Sequence, residues 1–377
     1  MKLHDFEFNS KPKNGNSNSN SKIIKILLMV LGVLVAGACV SIVLLVGVIK
    51  NDDTSSLLVV NNDYTQPKPS STPAQSTGNT EQTPAPDGTI QYNGNTYVKN
   101  ENVFNLLFLG IDTNAERRKN YEGYRSDVIM VCAIDLESNK ATLISIPRDT
   151  KTTVYKVNKN TGEITETVQW KINTAYSYGG GLEKYSFQNA MACVQLFLER
   201  DIELTEPLDF TLDIPIHHYA SMDMDGIPHV AKSVGGVPIT LENTIPDVGK
   251  KGQTVTLMYD NSVAYLTNRH VIGEIGDLGR AHRQQKFMLS LAKEIKNMDA
   301  PSIIVNLYGD LQRYVHTSLN ETDMLKLAKV LMKTDIDSIE MITIPGEGYK
   351  VDGTYFMFHD EQVTLDVLLN TYYTKVE

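Results

Sequence analysis

Between Ile26 and Ile49 the chain carries no charged side chain. As a helix this run would be roughly 36 Å long, more than the ~30 Å of a bilayer's hydrocarbon core, so a single membrane crossing is expected. A cleaved signal peptide is the competing expectation, but the run is long for a signal's apolar region and no Ala-x-Ala-like site follows it. Lys2, Lys11, Lys13, Lys22 and Lys25 precede the run, whereas Lys50, Asp52 and Asp53 follow it. The excess of positive charge before the span predicts a cytoplasmic N-terminus and an extracellular remainder.

The rest of the organisation follows from composition shifts. Residues 1–25, rich in Asn, Ser and Lys, read as a cytoplasmic tail, and 26–49 as the transmembrane helix. Residues 50–88 hold Pro67, Pro69, Pro73, Pro84 and Pro86 among Ser, Thr, Gln and Asn. Such a tract cannot bury a core and is expected to be a disordered extracellular linker that holds the folded part off the membrane. Residues 89–377 are then the folded extracellular domain.

That domain opens with a hairpin signal, Asn93-Gly94 between aromatic and β-branched residues of Ile90–Val98. Val103–Leu109, Val128–Ile134 and Thr142–Ile146 are apolar runs of strand length, ended by Gly110, by the turn Glu137–Lys140 and by Pro147. That turn is too short for a crossover helix, so the second and third strands should be antiparallel neighbours. A hairpin over Val154–Trp170 follows, then a helix over Phe187–Leu198 capped by Ser186, and strand-like Phe210–Ile214. A helix near His218–Lys232 and a Gly235-Gly236 turn into another strand come next. Strands at Ser302–Val305 and Ile339–Ile344 and helices at Glu321–Met332 and Glu361–Tyr372 complete the pattern. Helices alternating with strands predict an α/β fold, a layered α-β-α domain around a central mixed sheet, preceded by one transmembrane helix.

A net charge of −10 with no basic stripe argues against nucleic acid as a partner. Cys39, Cys132 and Cys193 all lie in apolar segments and are expected to be small buried hydrophobes. Asp223-Met-Asp-Gly226 lacks the remaining ligands of a calcium loop and reads as a surface turn, and the adjacent His217 and His218 point apart with nothing nearby to complete a zinc set. There is no Gly-x-Ser-x-Gly elbow, phosphate-binding Gly-rich loop or Cys/His pair, so acyl transfer and nucleotide-dependent phosphorylation lack support.

Two charged groupings stand out against this acidic background. Asp112 ends the first strand, Arg125 and Asp127 start the second, and Arg148 and Asp149 follow the third. If the first strand runs alongside the third, all five meet at one sheet edge. Asp112 and Asp127 have the hardness and number for a magnesium ion that keeps several waters. The arginines could pair with the carboxylates or act as forks for phosphate oxygens. The second grouping is Gly276–Gln285, which runs into an amphipathic pattern. A helix starting near Arg280 puts Arg280, Gln284, Met288, Leu291 and Ile295 on one stripe, with Arg283 beside it. Cations in a first turn oppose the helix dipole, so they call for a strong anion, either a diphosphate or a buried carboxylate.

Several stretches in register resemble the LytR-CpsA-Psr family: Asn105–Asp112, Arg125-Ser-Asp127, Ser145–Thr150, Lys171-Ile-Asn173 with Ala175-Tyr176, Gly235–Val237, and Gly279-Arg280 through Arg283-Gln-Gln285. The resemblance spans about residues 103–290. It implies an enzyme that moves an anionic glycopolymer, of the teichoic acid or capsule class, from a polyprenyl-diphosphate carrier to peptidoglycan in a Gram-positive-type envelope. Carried over, Asp112 and Asp127 would hold Mg2+, and Arg125, Arg148, Arg269, Arg280 and Gln284 would grip the diphosphate with Arg283 close by. The polyprenyl chain would enter an apolar tunnel between sheet and helices, giving the Phe187–Leu198 helix a second role.

The family usually shows two arginines spaced by one residue after an Ala-x-x-Tyr-like strand. Here Thr267 stands at the first position and Arg269 at the second, with Lys171 or His270 available to compensate. In the reaction so implied, a peptidoglycan sugar hydroxyl attacks the proximal phosphorus and polyprenyl phosphate leaves. Arg148 stabilises the charge, and Asp127 or Asp149 is the expected base. Two other readings use the same clamp: a protein that binds lipid-linked polymer without transfer, which Thr267 favours, and a diphosphate hydrolase. A transcriptional regulator is disfavoured, because the acidic domain would lie across the membrane from DNA.

Overall fold

The computed structural model describes residues 53–60, 89–113, 124–180, 184–199, 210–223, 226–268, 271–272, 283, 286–287, 290, 294, 314–334 and 338–376. The expected tail at 1–25, the span at 26–49, the strand at Ser302–Val305, and Arg269, His270, Arg280 and Gln284 lie outside the described residues, as does most of the linker. No helix among the described residues is long and apolar enough to cross a membrane.

The elements in chain order are β1 (Thr89–Tyr92), β2 (Asn95–Lys99), β3 (Val103–Ile111), β4 (Ser126–Asp135), β5 (Ala141–Ser145), β6 (Lys151–Val157), β7 (Ile164–Lys171), α1 (Thr174–Tyr178), α2 (Lys184–Glu199) and β8 (His218–Asp223). Then come α3 (Gly226–Ser233), β9 (Val237–Thr240), β10 (Thr254–Leu257), α4 (Tyr259–Thr267), β11 (Val315–Thr317), α5 (Glu321–Lys333), β12 (Glu340–Thr343), β13 (Gly346–Val351), β14 (Thr354–His359), α6 (Glu361–Tyr372) and β15 (Tyr373–Val376).

The central sheet has the order β11-β8-β3-β4-β5-β12. β3 pairs with β8 and β5 with β12 in parallel, and the other neighbours are antiparallel, so the sheet is mixed. β4 lies between β3 and β5, so the first and third strands are not neighbours. Both run antiparallel to β4, however, and their C-terminal ends still meet its N-terminal end at one edge. Side-chain alternation sends β3 into two cores. Phe104, Leu106 and Phe108 pack on one face with Val230, Leu266, Phe287 and Leu327, and Leu107, Leu109 and Ile111 pack on the other with Phe187, Val194, Phe197 and Leu368. Helices thus cover both faces, as an α-β-α layering requires.

Local chemistry explains most boundaries. Asn93 and Gly94 both take positive φ, 50° and 72°, which suits the tight turn between β1 and β2. Asn320 accepts a hydrogen bond from Asp323 N (2.9 Å) and Asp360 from Val363 N (3.0 Å), capping α5 and α6. Cys132 and Cys193 are buried as expected, and burial pushes the Cys132 thiol up to about 12.

Five expectations change. Ser186 lies inside α2, which begins at Lys184, rather than capping it. Phe210–Ile214 is irregular, and His218–Asp223, expected to be helical, is a fully buried strand. Its polar residues find partners across the sheet: the His218 imidazole Nδ1 lies 3.1 Å from Ser318 Oγ, while His217 points the other way and accepts from Asn105 N through Nδ1 (3.0 Å). Asp223, expected in a surface turn, ends β8 and is buried. Within the expected linker, Ser55–Leu58 forms a 3-10 turn whose Leu57 is wholly buried in the core, with Ser56 Oγ donating to Asp323 Oδ1 (2.7 Å).

Candidate active site

The edge where β3 and β5 end and β4 begins collects five residues singled out from the sequence. β3 pairs regularly with β4 up to Gly110 opposite Val128, and then the register shifts so that Ile111 faces Ser126. Asp127 is therefore the extra residue of a β-bulge, a device that turns a side chain out of the strand's alternation. A Cβ at Gly110 would come to 3.0 Å from the Val128 side chain, so a larger residue would press on the bulge. Asp112 follows directly, its N–H donating to Arg125 O (2.9 Å), so Asp112 and Asp127 are held at neighbouring positions.

On the other side of β4, Pro147 ends β5 and a tight turn presents Arg148 and Asp149. Thr150, fully buried, closes the turn by donating to Pro147 O from its amide (3.0 Å) and its hydroxyl (2.7 Å). A chain of alternating charges runs across the edge. Arg148 Nη1 lies 2.8 Å from Asp127 Oδ2, Arg148 Nε lies 3.5 Å from Asp149 Oδ2, and Lys171 Nζ lies 2.7 Å from Asp149 Oδ1. Arg125 is exposed beside them. Of the two arrangements left open by the sequence, the ion pair is present at Arg148, whose side chain keeps 34% exposure, while Arg125 faces solvent.

Two further polar groups belong to this edge. Tyr124 Oη and Asn173 Oδ1 are buried and have no hydrogen-bond partner among the described residues; His218 Nε2, far down β8, is the other such atom. Asn173 is woven into the site by its backbone, donating to Arg148 O (3.2 Å) and accepting from Ser126 N (3.3 Å). A buried amide oxygen without a donor costs stability. Its carbonyl, with the Asp112 and Asp127 carboxylates, makes a set of hard oxygen donors of the kind magnesium takes. The set fits such an ion, although no cluster of three or more His, Cys, Asp or Glu occurs among the described residues. The sequence offered Lys171 as a substitute cation for the clamp, and placed neither Tyr124 nor the Asn173 side chain in the site. The signal for Lys171 and Asn173 was their shared motif, whereas orphaned atoms are visible only in three dimensions.

Arg283 sits elsewhere. It is helical, as are Lys286, Phe287, Ser290 and Glu294, in keeping with a helix from near Arg280. Arg283 and Phe287 are both buried, so an inward face runs through them. The Arg283 guanidinium donates to Tyr265 O and Asn268 O and lies 5.8 Å from the Tyr265 ring centroid. These carbonyls belong to the last turn of α4, where a cation meets the negative end of the helix dipole. Arg283 thus holds the segment that leads to Arg269. That segment is also not the expected strand: Ala264 to Thr267 complete a helix.

The fold has known counterparts. A crystal structure of a Streptococcus agalactiae protein superposes with a TM-score of 0.53 at 22% identity, covering 71% of this chain and 86% of that one. Polyisoprenyl-teichoic acid–peptidoglycan teichoic acid transferase TagU from Bacillus cereus is 27% identical over 278 residues, which is 73% of this chain and 79% of the relative. The TagU of Enterococcus faecalis is 26% identical over 271 residues, 70% and 77% of the two chains. The family model for LytR_cpsA_psr matches residues 64–371, a stretch that contains β1 to β14 and all but the last residue of α6, and on that match this chain belongs to the LytR_cpsA_psr family.

Proposed function

We propose that this protein transfers an anionic glycopolymer from a polyprenyl-diphosphate carrier to peptidoglycan, forming a phosphodiester. Family membership and the transferase relatives support the reaction class. The observation that carries it to particular residues is the edge that collects Asp112, Asp127, Arg148, Asp149 and Lys171, with Tyr124 and Asn173, whose buried side-chain oxygens have no hydrogen-bond partner among the described residues. In this reading Asp112 and Asp127, with Asn173 Oδ1, would hold Mg2+, which when bound neutralises diphosphate charge. Arg148 and Arg125 fork the phosphate oxygens, Arg148 exchanging part of its contact with Asp127 for the substrate. Asp149 and Lys171 fix the Arg148 side chain from behind.

The acceptor hydroxyl oxygen forms a bond to the proximal phosphorus as the bond to the polyprenyl phosphate oxygen breaks. The hydroxyl proton passes to one of the edge carboxylates, Asp127 or Asp149. A loose phosphoryl transition state asks little of a base, so positioning and charge stabilisation carry most of the rate. Arg269, Arg280 and Gln284 are assigned to the same clamp by motif, and Arg283 to holding the approach. The uncharged run Ile26–Ile49 would anchor the protein as a single span, N-terminus inside and the domain outside.

Product analysis tests the proposal. The full chain in vesicles is given lipid-diphosphate polymer, magnesium and peptidoglycan oligomers. Polymer joined to oligomer is the expected product. Released phosphorylated polymer would instead show a hydrolase, and tight binding without turnover a carrier protein.

A further inference from the structure

We propose that the hairpin β13–β14 (Gly346–Val351, Thr354–His359) together with the end of β7 forms a sugar-binding platform for the acceptor glycan, next to the charged edge. The inference rests on the reading that the acceptor is a glycan, and it adds where that glycan lies.

The platform is built from aromatic rings that stay partly open to solvent. Tyr349 is 51% exposed and stacks on Phe358, with ring centroids 4.2 Å apart and planes 7° apart. Phe356, opposite Tyr349 in the hairpin, is buried beneath and meets Trp170 edge to face at 5.3 Å, while Trp170 itself is 37% exposed. Lys151 Nζ lies 5.5 Å from the Phe358 centroid and Lys171 Nζ 5.8 Å from that of Phe356. Large rings left open in this way cost solvation and mark ligand surfaces. The apolar C–H face of a sugar ring stacks on an aromatic face, and its hydroxyl rim finds donors in the flanking lysines.

The platform is continuous with the charged edge. Lys171 holds Asp149 Oδ1 at 2.7 Å while lying over Phe356, and Met357 N donates to Asp149 O (2.9 Å). A glycan stacked on Tyr349 and Trp170 therefore runs toward Arg148 and Asp127. The charge balance favours an uncharged strand over the anionic polymer: Lys171 is neutralised by Asp149, and the charge of Lys151 is offset by Glu347, which shares the hairpin face of Tyr349 and Phe358.

Trp170 is the single tryptophan of the chain, so its fluorescence reports on this platform alone. The full chain in detergent is titrated with a β-1,4-linked N-acetylglucosamine oligomer. A saturable fluorescence change is expected, about tenfold weaker in Tyr349→Ala and retained in Tyr349→Phe. Arg148→Ala should leave it unchanged, so sugar binding is read separately from transfer. The proposal is overturned by no saturable change at millimolar oligomer, by an unaltered response in Tyr349→Ala, or by a response to lipid vesicles or anionic polymer in place of the oligomer.

Discussion

Asn105 and Asp112 lie on the same strand, yet their surroundings are opposite in kind. Near the start of β3, Asn105 is buried and its amide is used up: it donates to Pro215 O (2.9 Å) and accepts from the Tyr372 hydroxyl (2.9 Å), while its backbone N–H bonds His217. The groups there are neutral. Burial, with the neighbouring His218, lowers the His217 pKa to about 4, and burial pushes the Tyr372 phenol well above its usual range. At the other end, carboxylates and cations stand half-exposed in a row, and two buried oxygens have no hydrogen-bond partner among the described residues. A folded chain tolerates such arrangements where a ligand completes them. Polar residues at the first end hold the fold; those at the second are the ones the proposed function gives to the substrate.

That division can be broken from either side. The largest stability effect should come from Asn105→Leu, which strands the Tyr372 hydroxyl and the Pro215 carbonyl in the core. We expect a loss of about 2–4 kcal/mol in urea unfolding, with transfer per folded molecule unchanged. Adding Tyr372→Phe should restore part of it, because removing both partners is cheaper than removing one. A smaller and graded effect concerns pH. His217 takes up a proton near pH 6.5 when unfolded but only near 4 when folded. The unfolded state thus binds more protons across that window. Stability is present above pH 6.5 and falls as pH drops toward 4, by up to about 3 kcal/mol. Urea midpoints measured from pH 7 to 4.5 should show this slope, and His217→Gln should flatten it.

The same contrast governs what was legible in the sequence. β3, β4 and β5 announce themselves because they are apolar along both faces, and the site carboxylates and arginines could be placed at their ends from turn lengths alone. β8 was hidden because His218, Ser221 and Asp223 are polar, and only partners distant in the chain, such as Ser318, make their burial affordable. Leu57 was hidden in a Ser- and Asn-rich tract whose composition says linker, although one side chain finds the core. The inward arginine near residue 280 was visible as an electrostatic oddity. Its partners were not: Arg283 faces the carbonyl end of a helix, an acceptor that leaves no trace in composition. The bulge at Asp127 and the orphaned Asn173 oxygen depend on register and packing, which no local pattern encodes.

The central claim is that the charged end of the sheet serves the reaction and not the fold. Transfer and thermal unfolding measured side by side for Arg148→Ala test it most directly. Arg148 is one-third exposed, so its ion pairs contribute little to stability. The unfolding midpoint should stay within a few degrees of the parent. Transfer of polymer to peptidoglycan should fall by about 10²- to 10³-fold, as when one preorganised charge-stabilising group is lost. Transfer at the parental rate, or a loss that merely follows unfolding, would contradict it.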